Sequence, residues 1–134
     1  MIVVSDTELW GPTGSAILQL ALDTGATGTL INVGMLVAVG YDPALIPDRF
    51  QVTPGSGVEF VPRITLDKIV TLEQERQGFP VLGHTLPPSA GVDGLLGLDF
   101  FRGQTLTIDF RAGEINAPPP SPGRGSRRPG RERV

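Results

Sequence analysis

The sequence predicts a mainly β protein with one or two short helices. Eighteen glycines and thirteen prolines divide the 134 residues into short segments, and only 6% of the residues are aromatic. Such a chain is rich in turns, which favours short strands over long helices. Its length is enough for one compact core and too little for two ordinary domains. We therefore expect one domain over residues 1–117.

Each predicted strand is a short apolar or alternating run bounded by turn residues. In chain order these runs are Met1–Val4, Ala16–Leu22, Thr29–Ile31, Phe50–Thr53, Val58–Val61, Ile64–Leu72, Phe79–Leu86, a strand passing into a helical turn over Gly94–Phe101, and Gln104–Phe110. We expect Asp6 and Glu8 to end the first strand early. The two runs around Pro54–Gly57 form a hairpin with a glycine-rich tip.

A short helix is predicted between the third and fourth strands. Asn32 is a suitable N-cap residue, and the helix is expected to run through Val39 with Gly40 just beyond its end. At the other end of the chain, residues 118–134 combine proline, glycine and arginine with almost no large apolar residue. That composition cannot build a core, so we expect a disordered tail.

Composition excludes several classes of chemistry. There is no cysteine and a single histidine, so disulfides, thiolate nucleophiles and the common zinc sites have no support. We expect neither a metal nor a cofactor. His84 accompanies no serine in a nucleophile elbow, so we expect a structural or surface role for it.

The charge distribution argues against a phosphate-binding domain. Residues 1–117 hold six basic and thirteen acidic side chains, whereas 118–134 hold five arginines and one glutamate. An acidic body is a poor ligand for nucleic acid, and the basic tail is typical of a solvated end. No apolar run reaches the length of a membrane span or a secretory signal. We expect no membrane partner and a cytoplasmic location.

One segment carries a recognisable chemical pattern. The apolar run Ala16–Leu22 leads directly into Asp23-Thr24-Gly25-Ala26. A carboxylate at the end of a buried strand must be held by hydrogen bonds or share a proton. Gly25 permits a tight turn whose N–H is free to donate to that carboxylate, and Ala26 is small enough for another chain to approach.

This segment, followed about seventy residues later by Leu95-Leu96-Gly97 and a short apolar turn, resembles the retropepsin-like aspartic proteases. The similarity is closest to the single-lobed bacterial type and covers about residues 1–115. It implies a closed β-barrel lobe of the acid-protease fold. It also implies that Leu95, Leu96 and Gly97 pack behind the loop that carries Asp23.

The resemblance implies an aspartic endopeptidase with Asp23, Thr24 and Gly25 as its catalytic loop. A second such loop is missing, because Val92-Asp93-Gly94 lacks the hydroxyl residue and Leu98-Asp99-Phe100 lacks the glycine. The implied solution is a homodimer in which Asp23 is supplied twice. We expect Asp99 to cap or support its own helical turn.

Substrate binding is likewise implied by the resemblance. An extended peptide or protein segment would contact Ala26 and Thr27 on one side and the hairpin tip on the other, whose residues are Pro54, Gly55, Ser56 and Gly57. Two alternatives remain open. The domain is either a weakly active or inactive module that dimerises or binds peptides, or one domain of a larger polyprotein.

Overall fold

The computed structural model describes residues 1–53 and 57–118. Within them lie nine strands: β1 (Val3–Gly11), β2 (Gly14–Leu22), β3 (Leu30–Asn32), β4 (Arg49–Val52), β5 (Glu59–Thr71), β6 (Gln74–His84), β7 (Gly94–Leu96), β8 (Thr107–Asp109) and β9 (Glu114–Asn116). Helix α1 spans Val33–Ala38, and 3₁₀ turns span Pro43–Leu45, Pro88–Ala90 and Leu98–Phe101. The predicted tip residues Pro54–Ser56, and the predicted tail beyond residue 118, lie outside the described residues.

The strands of the first part of the chain form a closed barrel. Neighbours in the sheet follow the order β1-β2-β7-β3-β6-β5-β4, and β1 also pairs with β5. That additional pairing closes six strands into a ring and leaves β4 attached to the outside of β5. The mainly β, closed-barrel fold class predicted from the sequence is therefore confirmed.

The chain divides into two compact units, Met1–Phe100 and Phe101–Val134. The first holds the barrel and α1. The second holds β8 and β9, an antiparallel hairpin whose turn is closed by Asp109, since its carboxylate accepts hydrogen bonds from the Arg111 and Ala112 N–H groups at 3.0 Å. The sequence predicted β8 but not β9, because the three residues of β9 stand next to the proline-rich end. The predicted domain boundary at residue 117 stays a prediction.

Strand β1 is longer than predicted. It continues past Asp6 and Glu8 to Gly11, so the expectation that these acidic residues end it was wrong. Asp6 has a φ of 58°, and the register with β2 shifts between Val4 and Thr7. A β-bulge thus absorbs the polar residues without ending the strand.

Strands β5 and β6 both begin earlier than predicted. The predicted strands Val58–Val61 and Ile64–Leu72 are parts of one strand, Glu59–Thr71. Pro62 does not interrupt it, because the ladder with β6 begins only at Arg63 and Pro62 therefore deprives that ladder of no N–H donor. β6 begins at Gln74, where polar residues hid the strand from pattern analysis. Leu72 and Glu73 both have positive φ, as a two-residue hairpin turn requires.

The predicted helix is confirmed with its cap. The Asn32 side chain accepts a hydrogen bond from the Gly34 N–H at 3.3 Å, and the helix ends one residue earlier than expected. In the described part of the chain, no helix is long and apolar enough to cross a membrane.

The core is filled by apolar side chains from the six strands of the ring, from α1 and from the last 3₁₀ turn. Fully buried examples are Leu9, Leu18, Leu20, Ile31, Leu36, Ile64, Leu66, Ile69, Val81, Leu96 and Phe100. Those that lie on strands alternate with more exposed neighbours, as the two-residue period of a strand requires. The side chains that face the core therefore determine the register of the barrel.

Two polar contacts join β1 to β5 where the barrel closes. The buried Thr7 hydroxyl donates to the Thr71 hydroxyl at 2.8 Å. The Tyr41 hydroxyl accepts from the Asp67 N–H at 2.7 Å and donates to the Trp10 carbonyl at 2.9 Å. Burial raises the pKa of Tyr41, so the phenol remains protonated and can act as this donor.

The threonine pair can be tested by a double-mutant cycle. We expect Thr7→Val or Thr71→Val alone to lower the free energy of unfolding by about 1–2 kcal/mol, because each leaves one buried hydroxyl without its partner. The double variant should unfold close to the parent, since both polar groups are removed. Urea midpoints of the four proteins measure the coupling. Additive losses would show that the two hydroxyls do not depend on each other.

Candidate active site

Asp23 is the first residue after β2, and the parallel neighbour β7 fixes its backbone. The β2–β7 register ends at Leu22 and Leu96. The Asp23 N–H then donates to the Leu96 carbonyl at 3.0 Å. The backbone of the predicted catalytic residue is thereby tied to the predicted supporting segment.

The loop after Asp23 is arranged around its carboxylate. The Gly25 N–H donates to Asp23 Oδ1 at 3.0 Å, as the sequence predicted. The Ala26 N–H donates to the Asp23 carbonyl at 3.1 Å and so closes a turn. Asp23 is half-buried, whereas Thr24 and Gly25 are exposed. One carboxylate oxygen is held by the backbone at a surface that another molecule can reach.

Behind this loop, one threonine connects the two parts of the candidate site. Thr29 is 1% exposed, and its hydroxyl accepts from the Gly97 N–H at 3.1 Å while donating to Asp99 Oδ1 at 2.7 Å. The Thr29 N–H donates to Asp99 Oδ2 at 3.1 Å. We call Thr29, Gly97 and Asp99 the loop anchor. It fastens the end of the Asp23 loop to the segment that follows β7.

Gly97 is required in the loop anchor for a steric reason. A Cβ at this position would lie 2.6 Å from the Gly28 carbonyl carbon and oxygen, and 3.0 Å from the Thr29 nitrogen. These are backbone atoms, which cannot turn aside as a flexible side chain would. The glycine therefore permits the close approach on which the hydrogen bonds to Thr29 depend.

The remaining predicted site residues lie as follows. Leu95 is half-buried, and Leu96 and Gly97 are buried, next to the Asp23 loop. Ala26 is half-buried and Thr27 is exposed in the same loop, and the Ala26 carbonyl accepts from the Leu98 N–H at 2.9 Å. Gly57 precedes β5 with a φ of 129°. The structure thus brings Asp23 to Thr27 together with Leu95 to Gly97.

Two aspartates have structural partners. The Asp93 carboxylate accepts from the Gln19 N–H at 2.9 Å. Asp99 was expected to cap its own helical turn, but its two oxygens accept from Thr29, seventy residues away. That expectation is corrected because the carboxylate supports the Asp23 loop. Neither aspartate carries the Asp-Thr-Gly pattern, as the sequence already indicated.

Sequence analysis missed the role of Thr29. It assigned the residue to a strand, and a threonine in a strand gives no sign of a distant partner. The spacing of a hydroxyl residue six positions after Asp23 and a carboxylate two positions after Gly97 was the available signal. Among the described residues, no cluster of three or more His, Asp or Glu side chains is placed to hold a metal ion.

The Asp23 loop leaves the closed barrel at the end of β2, beside the parallel strand β7. The chain has the retropepsin-like fold. It is similar to a retropepsin-like aspartic protease from Rickettsia conorii, with a TM-score of 0.58 and 16% identity over 80% of this chain and 86% of that one.

A second neighbour is the retroviral protease-like domain of Ddi1 from Leishmania major. Its TM-score is 0.56 at 15% identity, covering 87% of this chain and 89% of that one. No protein-family model and no curated protein sequence matches the chain. At these identities the comparisons establish the fold alone.

The loop anchor yields a stability prediction. We expect Asp99→Ala to lower the free energy of unfolding by about 2 kcal/mol, because two donors of a buried residue lose a charged acceptor. Asp99→Asn should cost about 1 kcal/mol, since the amide keeps one acceptor oxygen. Chemical unfolding of both variants measures these losses.

Asp67→Ala is the matched control, because this aspartate is exposed on β5. Its loss should stay below about 0.5 kcal/mol, the usual size for surface substitutions. If Asp99→Ala unfolded like this control, Asp99 would have no anchoring role.

Proposed function

We propose that the protein is a homodimeric aspartic endopeptidase that hydrolyses peptide bonds. The observation that carries this proposal is the Asp23 carboxylate, which follows a barrel strand with Oδ1 held by the Gly25 N–H at 3.0 Å. Asp42 and Asp109 make the same contact in ordinary turns. Asp23 differs from them because it directly follows a strand of the closed barrel and its N–H is tied to the Leu96 carbonyl. The similarity in fold to a retropepsin-like aspartic protease supports the same reading.

Dimerisation follows from the number of suitable carboxylates. Each chain supplies one Asp-Thr-Gly segment, and acid-protease chemistry needs two carboxylates around one water. A two-fold axis beside Asp23 would supply the second from an identical chain. Thr24, which is exposed, would then face its counterpart and tie the two loops together.

The chemistry needs one proton shared by the two carboxylates, because two like charges about 3 Å apart do not both ionise readily. The ionised Asp23 of one chain takes a proton from the water as the water oxygen bonds to the peptide carbonyl carbon. The protonated Asp23 of the other chain donates a hydrogen bond to the developing oxyanion. The amide nitrogen then receives a proton, the carbon–nitrogen bond breaks, and no covalent enzyme intermediate forms.

The proposed substrate is an extended peptide or a flexible protein segment. Ala26 and Thr27 would line the cleft next to the carboxylates, and Pro54, Gly55, Ser56 and Gly57 would also contact the substrate. An extended strand is recognised largely through its main-chain groups. The net charge of −7 over residues 1–117 makes nucleic acid an unsuitable ligand for this cleft.

The first test is the association state. We expect sedimentation at micromolar concentration to show a dimer, strengthened by a statine-type peptide that imitates the tetrahedral intermediate. The dimer interface contains the carboxylate pair, so Asp23→Asn should leave the dimer intact or tighter once the like-charge repulsion is gone. A monomer with and without the peptide would rule out the shared site.

The second test is cleavage of a diverse peptide library. We expect a bell-shaped pH profile with its maximum at acidic pH, because both fully ionised and fully protonated pairs are inactive. Asp23→Asn should lower kcat by at least about 10³-fold, the scale of a lost general acid–base group. Asp99→Asn is the control, because it should lose stability while retaining catalysis in the folded fraction.

Two outcomes would contradict the proposal. Undiminished cleavage by Asp23→Asn would remove Asp23 from the chemistry. A folded, dimeric parent that cleaves nothing in the library would instead support the alternative of a module that dimerises or binds peptides.

A further inference from the structure

Strands β5 and β6 separate at one end of the barrel. Their ladder ends at the pair Arg63 and Leu82. Beyond this point, the first residues of β5 pair with β4, whereas β6 continues beside β3 as far as the pair Asn32 and His84. Glu59, the first residue of β5, forms the last pair of the β4–β5 hairpin with Val52.

A cavity lies where the two strands separate. Its volume is about 340 Å³, and apolar groups of α1, β5 and β6 line it, including Val33, Val61 and Gly83. Glu59 and His84 belong to the same lining. Apolar side chains therefore do not fill this gap between the strands, and the side chains of Glu59 and His84 lie beside it.

The His84 side chain crosses the gap. Its Nε2 lies 3.1 Å from Glu59 Oε1, and its Nδ1 lies 2.9 Å from the Thr85 carbonyl oxygen. The two side chains are 27% and 49% exposed, respectively. A residue expected to have only a structural or surface role thus connects the end of β6 to the start of β5.

Hydrogen-bond chemistry fixes the protonation that this contact requires. A carbonyl oxygen only accepts, so Nδ1 must carry a hydrogen to bond the Thr85 carbonyl. The neutral ring carries one N–H, so it can donate to the Thr85 carbonyl or to Glu59 but not to both. Both contacts are hydrogen bonds only when the ring carries both hydrogens, so that Nδ1–H donates to Thr85 and Nε2–H donates to Glu59.

Among the described residues that line the cavity, no carboxylate other than that of Glu59 faces the His84 ring. Glu59 on β5 is the acidic residue of that lining, and α1 contains no charged residue. On the segment that includes Pro43, the Asp42 carboxylate accepts from the Ala44 N–H, and the Arg49 guanidinium donates to the Pro43 carbonyl. Asn32, the β3 neighbour of His84, is uncharged.

We propose that His84 is a positioning residue whose protonated ring holds the start of β5, and with it the β4–β5 hairpin, against β6. Loss of one ring proton removes the positive charge and leaves a single N–H for two acceptors, so the connection between β6 and the start of β5 weakens. The hairpin is therefore held more firmly in acid than at neutral pH. The effect of this contact on catalysis rests on the proposed function, whereas the contact and its dependence on the ring proton do not.

The contact is tested without catalysis in the Asp23→Asn chain. Hydrogen exchange is followed at the amides of residues 49–52 and 59–61 at about pH 5 and pH 8, the range in which histidines change charge. After correction for intrinsic exchange rates, we expect protection to be about two- to fivefold greater at the lower pH, the range for a partly exposed ion pair. Equal protection at both values would overturn the proposal.

Two variants separate this contact from a general effect of pH. Glu59→Gln provides an amide that donates to a neutral ring and accepts from a charged one, so the pH response should disappear with protection retained. His84→Gln should also remove the response, because its amide donates at every pH. Glu75→Gln is the matched control on β6 and should keep the response of the parent. A response retained in Glu59→Gln would refute the pairing.

Activity supplies an independent measurement. Between about pH 5 and 7, we expect the ratio of kcat/KM for Glu59→Gln to that of the parent to rise about two- to fivefold, mainly through KM. Taking the ratio removes the pH dependence that comes from the two Asp23 carboxylates, because both proteins contain the same pair. If the exchange response is present but the parent protein has no peptidase activity, the proposed function alone is refuted. A constant ratio in an active enzyme, together with pH-independent exchange, would refute the role of His84 alone.

Discussion

The candidate site depends on the two hydrogen bonds of the Thr29 hydroxyl. This hydroxyl is buried, accepts a hydrogen bond from the Gly97 N–H and donates one to Asp99. A buried hydroxyl is costly unless it is bonded, and here both its donor and one of its acceptor positions are used. Because its partners stand about seventy residues further along the chain, this one group sets the distance between the Asp23 loop and β7.

The closed barrel makes that arrangement rigid. The pairing of β1 with β5 completes the ring and removes the edge at β1, and β2 and β7 each have a paired strand on both sides. Asp23 and Leu96 then continue a parallel ladder whose register is fixed by buried leucines on both strands. A side chain that follows such a ladder is positioned with little conformational freedom, which is what a catalytic carboxylate needs.

The hairpin formed by β4 and β5 has the opposite character. β4 is attached to the outside of the ring through β5, and the start of β5 leaves its neighbour β6 beside a cavity. Where the apolar packing ends, a partly exposed charged pair makes the connection. Such a pair is weak, so this end of the barrel is held less firmly than the ladder beside Asp23.

The sequence by itself determined the mainly β class, the capped helix and the Asp23 loop. These rest on local rules: turn residues, an Asn32 cap and the ability of the Gly25 N–H to meet a carboxylate two residues away. Only the tertiary structure decided the full length of β1, β5 and β6, the partner of Asp99, and the contact of His84 with Glu59. Each of these depends on residues that are distant in the chain and meet only when the barrel closes. Local pattern cannot reveal such partners, because the identity of Asp99 or His84 is compatible with a cap, a solvated side chain or a long-range bond until the fold brings one partner within 3.1 Å.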